Sequence, residues 1–267
     1  MDQNPYAPPV DDQRPGPLPT GDDGFIEGGR GVEAGRGYAW ITGGWEIVKG
    51  TMGSWILVCI IYGACLIGVS LIPRVGQLAI SLITPVFTGG LLMGCRDTRE
   101  GREFGIAHIF EGFKQPGGLM LLGLLHLGWA LVLGVVGLGF GVGGVFNPQP
   151  QFGAFGTPAF NHQMQSVFLF AGVSIFIGIP FTMATYYAPA LIALRGMPLP
   201  AALKSSFLGA SKNVLPYIVY ILVTFLCSFA AVIPCGLGFL VLGPILIASV
   251  YASYRDVFFA DPQPAYP

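Results

Sequence analysis

"LIPRVGQLAISLITPVFTGGLLMGCRDTR", residues 71 to 99, is the stretch on which the fold turns. From Gly76 to Cys95 it carries no charged side chain. About 20 such residues, rising 1.5 Å each as a helix, cover a hydrocarbon core of about 30 Å. In lipid a segment must satisfy its own backbone hydrogen bonds, and a run this continuous lacks the alternation of a barrel strand, so it reads as a transmembrane helix. A Pro-Arg break precedes it, and Arg96, Asp97 and Arg99 close it.

The same pattern recurs along the chain. With residues 76–95, the apolar runs 55–72, 117–141, 166–187, 214–233 and 236–254 give six predicted crossings. Of 267 residues 53% are hydrophobic and 10% charged, against about 25% charged in an average soluble domain. The expected class is an all-α membrane protein with six transmembrane helices in three hairpins, each preceded by a short interfacial amphipathic helix. A net charge of −1 gives no handle for nucleic acid. The expected partners are membrane lipids; the small-residue helix faces read first as internal packing, with a homo-oligomer face as the alternative.

Residues 1–37 are rich in Pro, Gly and Asp and read as a disordered cytoplasmic tail. Their start, with Asp2, Asp11 and Asp12 and no apolar core, is not that of a secretory signal, which leaves targeting to the first membrane helix. The transmembrane domain is expected over 38–258, with a long extracytoplasmic loop at 142–165 that has no Lys, Arg, Asp or Glu, and a C-terminal tail at 259–267. Twelve of the thirteen Lys and Arg residues fall on one side of this arrangement, Arg74 being the exception. By the positive-inside rule both termini are expected in the cytoplasm.

A shift of 161 residues aligns Trp55 with Pro216 and Pro73 with Pro234, and Pro85 precedes Arg96 by the same 11 residues that separate Pro244 from Arg255. The first and last hairpins therefore read as duplicates, with the middle one a degenerate third unit. Each has an amphipathic preface: Ile41, Trp45, Val48 and Met52 in the first, Ile106, Ile109, Phe110 and Phe113 in the second, Leu203, Phe207 and Leu208 in the third. Such helices are expected to rest in the interface. Trp40, Trp45, Trp55, Tyr186, Tyr187 and Tyr254 are expected in the aromatic belts.

"LIPRVGQLAISLITPVFTGGLLMGCR", "APALIALRGMPLPAALKSSF" followed by "NVLPYIVY", and "LIASVYASYRDVF" resemble a family of uncharacterised proteobacterial six-helix integral membrane proteins. The resemblance covers about residues 36–260. It implies a bacterial inner-membrane location and carries no established activity, so no catalytic residue is carried over.

Chemistry-bearing residues are sparse. Cys59, Cys65, Cys95, Cys227 and Cys235 have no CxxC spacing and read as packing residues. Pro85, Pro180 and Pro244 are expected to kink their helices. His126 is the one imidazole in a predicted span, and without an acid partner it reads first as a hydrogen-bonded packing residue. His108 and His162 are too scattered to suggest a metal site, and "GLGFGVGG" at 137–144 lacks the strand a phosphate loop needs. No catalytic set emerges, and no cofactor is expected. The preferred reading is a non-enzymatic membrane scaffold or lipid-interacting protein. The alternative is an uncoupled transporter or channel for a neutral or lipophilic solute. Arg96–Asp97 and Arg255–Asp256 end counterpart helices. An acid at a helix C-terminus wants a partner, so the sequence raises a crossed pairing, Arg96 with Asp256 or Arg255 with Asp97, against two separately solvated pairs.

Overall fold

The computed structural model describes residues 24–72, 75–114, 116–142 and 156–260. In chain order the helices are α1 (Arg36–Lys49), α2 (Met52–Ser70), α3 (Val75–Arg99), α4 (Ala107–Glu111) with the 3-10 turn Gly112–Lys114, and α5 (Pro116–Gly139). They continue with α6 (Pro158–Thr185), α7 (Ala188–Arg195), α8 (Leu199–Ser211), α9 (Val214–Val232) and α10 (Phe239–Phe258). Among the described residues there is no strand, only an isolated antiparallel bridge between Phe25 and Phe259. Six helices are long and apolar enough to cross a membrane: α2, α3, α5, α6, α9 and α10. The chain is an all-α membrane protein.

The buried core lies toward the end of the bundle where the charges gather. Trp40, Val48, Trp55, Leu91, Leu92, Tyr187, Leu191, Tyr254 and Phe258 are each at most 2% exposed. Away from that end the long helices turn bulky side chains outward, among them Ile67, Phe176, Phe229 and Ile233. Lipid tails solvate such side chains as well as a core does, so packing falls to small residues that let backbones approach. A Cβ on Gly44 would stand 2.4 Å from Ile245 O, which holds α1 against α10. One on Gly90 would stand 2.3 Å from His108 O, holding α3 against α4.

The short helices follow a cyclic order. α4 docks on α3; α8 docks on α6, with Ser206 Oγ donating to Met183 O at 2.8 Å and accepting from Tyr187 N at 3.0 Å; α1 docks on α10. Each preface helix thus meets the second long helix of the preceding unit, and the first unit's preface closes the ring on the last unit.

Several expectations need correction. The tail does not run to residue 37 as disordered chain: 1–23 lie outside the described residues, but 24–35 are packed. Ile26 N donates to Phe258 O and Arg30 N to Val257 O, both at 2.8 Å. Asn213 accepts from Val32 N at 2.8 Å and donates to Arg30 O at 2.8 Å and Gly209 O at 2.7 Å. The 142–165 loop is shorter than expected, because Thr157 accepts from Phe160 N at 3.3 Å and starts α6 at Pro158; residues 143–155 lie outside the described ones. The connection after residue 187 contains α7, stopped by Gly196 in the left-handed region at φ 66°. Trp40, Trp55, Tyr187 and Tyr254 sit in the core rather than in exposed belts. Pro85, Pro180 and Pro244 each lie inside a helix that continues past them. Pro73 and Arg74 lie outside the described residues.

Candidate functional site

The charges meet at two acidic sockets, one at the end of α3 and one at the end of α10. In the second, Asp256 is 3% exposed. Its Oδ2 accepts from Arg36 Nε at 2.8 Å and from Trp40 Nε1 at 2.9 Å, and its Oδ1 from Arg30 Nη2 at 3.3 Å. Arg30 Nε also donates to the Asp256 carbonyl at 2.9 Å. Charged donors of this kind answer the cost of a carboxylate placed against helix C-terminal carbonyls. The hydrogen bond to Asp256 holds the Arg36 guanidinium above its ordinary pKa.

In the first socket Asp97 accepts from Arg102 through Oδ1, and its Oδ2 stands 3.2 Å from His108 Nε2. His108 Nδ1 lies 3.1 Å from both Gly105 N and Gly105 O, and Nε2 faces the Asp97 carboxylate, which can only accept from it. The imidazole is stacked on Phe104, and Phe104 on Trp55 with centroids 3.8 Å apart. Hydrogen bonding to Asp97 holds the Arg102 guanidinium above its ordinary pKa.

The crossed pairing is therefore wrong. Neither Arg96–Asp256 nor Arg255–Asp97 forms among the described residues; Arg96 Nε lies 3.5 Å from its neighbour Asp97, and the Arg255 guanidinium lies 3.8 Å over the Phe259 ring. The reason is that each aspartate is engaged by a preface helix and its flanking chain, Asp97 by Arg102 and His108 and Asp256 by Arg30, Arg36 and Trp40. The separately solvated alternative also misses, since Asp256 is buried.

His126 behaves as a packing residue: its Nδ1 lies 2.8 Å from Leu122 O, and its ring meets Phe181 edge-on at 5.5 Å. His108, by contrast, is brought to the socket. Asp97, His108 and Glu111 offer ligand atoms within 4.8 Å of one another. Arg102 already bonds Asp97 and Lys114 bonds Glu111 at 3.2 Å, so a cation entering there would have to displace both. Sequence reasoning missed Arg30, Arg36, Trp40 and His108 as partners of the two aspartates.

Among the described residues, six helices long and apolar enough to cross a membrane define a polytopic all-α membrane protein. The chain is similar to a probable inner membrane protein of Burkholderia thailandensis, with 27% identity over 236 residues that cover 83% of this chain and 82% of that protein. No protein-family model matches the chain, and no solved structure does.

Proposed function

We propose that this chain is a non-enzymatic inner-membrane protein that works as a scaffold at the lipid interface, with both termini and the preface helices α1, α4 and α8 on the cytoplasmic side. The observation that carries the reading is the bulky apolar side chains that those helices and their flanks leave exposed, beyond the ones they bury. α8 buries Ala202, Ser205, Ser206 and Gly209 while exposing Phe207 and Leu208. α4 and its turn bury His108 and Ile109 while Ile106, Phe110 and Phe113 face outward. α1 exposes Trp45 beside Glu46 and Lys49. Bulky apolar side chains beside cations fit the boundary between acyl chains and anionic headgroups. The inner-membrane location draws on the similarity to the Burkholderia protein. The cytoplasmic placement draws on the basic residues at that end.

The test is reconstitution. Sealed proteoliposomes are expected to retain neutral and lipophilic tracers as protein-free vesicles do. A flux that disappears on His126→Ala would overturn the scaffold reading in favour of an uncoupled carrier or channel.

A further inference from the structure

The first socket opens into a cavity of about 500 Å³ at the charged end of the bundle, between the ends of α3 and α7 and the turn after α4. Arg96, Arg102, Lys114 and Arg195 line it, against the carboxylates of Asp97 and Glu111. The C-termini of α3 and α7 each add about half a negative charge, and Arg102 is shared with Glu100 at 2.6 Å, so the lining is close to balanced and an incoming anion would rely on Arg96 and Lys114. The volume falls within the range of about 300–1,000 Å³ typical of small-ligand sites.

The cations are only partly used. Arg96 Nε is buried and makes no hydrogen bond, its 3.5 Å approach to Asp97 being too long for one. The Lys114 side chain is 76% exposed and has Glu111 as its ion-pair partner. The Arg96 side chain as a whole is 39% exposed, which leaves the guanidinium open to an acceptor from the cavity. The lining is also graded: Met93 and Ala193 precede Arg96 and Arg195 along α3 and α7, so the apolar wall lies deeper in the bundle than the cations. A soluble anion has no use for that wall, whereas a phosphodiester with an acyl glycerol attached fits both ends.

Resting on the lipid-interface reading above, we propose that this cavity binds the headgroup phosphate of an anionic phospholipid, with Arg96 and Lys114 as its principal donors. The phosphate accepts from the Arg96 guanidinium and the Lys114 ammonium, and the glycerol region lies against Met93 and Ala193.

The experiment is native mass spectrometry of the full chain in detergent, titrated separately with phosphatidylglycerol, phosphatidylcholine and inorganic phosphate. Phosphatidylglycerol is expected to bind about tenfold more tightly than phosphatidylcholine, since cations at the membrane surface each favour anionic lipid. Lys114→Gln alone weakens that preference, and Arg96→Gln with Lys114→Gln abolishes it. Lys204→Gln, an exposed cation on α8 outside the cavity, leaves it intact. A preference that survives the double substitution overturns the cavity proposal while leaving the lipid-interface reading standing. Absence of any preference in the unaltered chain overturns the cavity proposal as well, and tracer retention in proteoliposomes then judges the broader reading separately. Displacement of phosphatidylglycerol by equimolar inorganic phosphate contradicts a lipid source and leaves a plain phosphate site. Lys114→Gln, made at an exposed side chain, keeps the test open if the double variant fails to fold.

Discussion

Trp40 donates its indole N–H to the carboxylate of Asp256 at 2.9 Å, across 216 residues of sequence. With Arg36 on the same oxygen, this contact joins the first preface helix to the last membrane helix. The two aspartates of the repeated Arg-Asp pair therefore differ in role. Asp256 lies inside a closed junction between the chain's two ends; Asp97 faces an open, half-solvated cavity.

That difference predicts unequal stability effects. Asp256→Ala strands the Trp40 N–H and leaves two guanidinium groups without their acid. Because Arg30 and Arg36 are partly exposed, water recovers some of the loss, and the expected cost is about 2–4 kcal/mol. Asp97→Ala releases the half-exposed Arg102 to water and strands only His108 Nε2, so it is expected to cost less than Asp256→Ala. Thermal unfolding of both variants in one detergent checks this, and equal losses would contradict it.

Close approach of α1 to α10 gives a second test. Gly44→Ala forces a methyl against Ile245 O at 2.4 Å and should destabilise by about 1–3 kcal/mol. Gly53→Ala on α2 meets nothing within 4 Å and is expected to be neutral or slightly stabilising through helix propensity. Unfolding midpoints that fall alike for the two would show that the α1–α10 contact is not tight.

Topology can be read from a native thiol. Cys235 is exposed in the connection between α9 and α10, at the end remote from the charges. With the other four cysteines replaced by serine, Cys235 is expected to react with an impermeant maleimide on intact cells or spheroplasts. A Lys204→Cys variant on a cysteine-free background is expected to react only after the inner face is exposed. The reverse pattern would place the charged end outside.

How far the fold was legible follows from the solvent. The six crossings were readable because a bilayer demands length and apolarity, two properties that composition displays directly. The onset of α6 was also written locally, since Thr157 before Pro158 is a capping residue followed by a favoured first-turn residue. Read as part of a Gly/Pro-rich loop, it was passed over; Pro189 and Gly196, which bracket α7, were missed in the same way. Residues 24–35 look like linker because their Gly and charge content resembles disorder. What orders them is distant: Lys212 Nζ donates to the carbonyls of Gly28 and Gly29, and Asn213 to that of Arg30. No local period reports such partners.

The sockets were legible only in part. The repeated Arg-Asp pair marked the right places, and the unfavourable position of an acid at a helix C-terminus rightly demanded partners. The duplicate's symmetry suggested that the two pairs serve each other. The cyclic docking of preface helices, which sequence spacing does not reveal, instead gives each aspartate to the next unit's leading segment. Trp40 misled as well, because a tryptophan near a membrane entry looks like a belt residue, whereas its N–H is used by a buried acid.

Crosslinking from the short helices tests the central claim most directly. Benzoylphenylalanine placed at Phe110 or Phe207, both exposed on short helices, is irradiated in native membranes, with Phe176 on the long helix α6 as the lipid-facing reference. The account predicts phospholipid adducts from all three positions. Lipid adducts from Phe176, with none from Phe110 and Phe207, would contradict it.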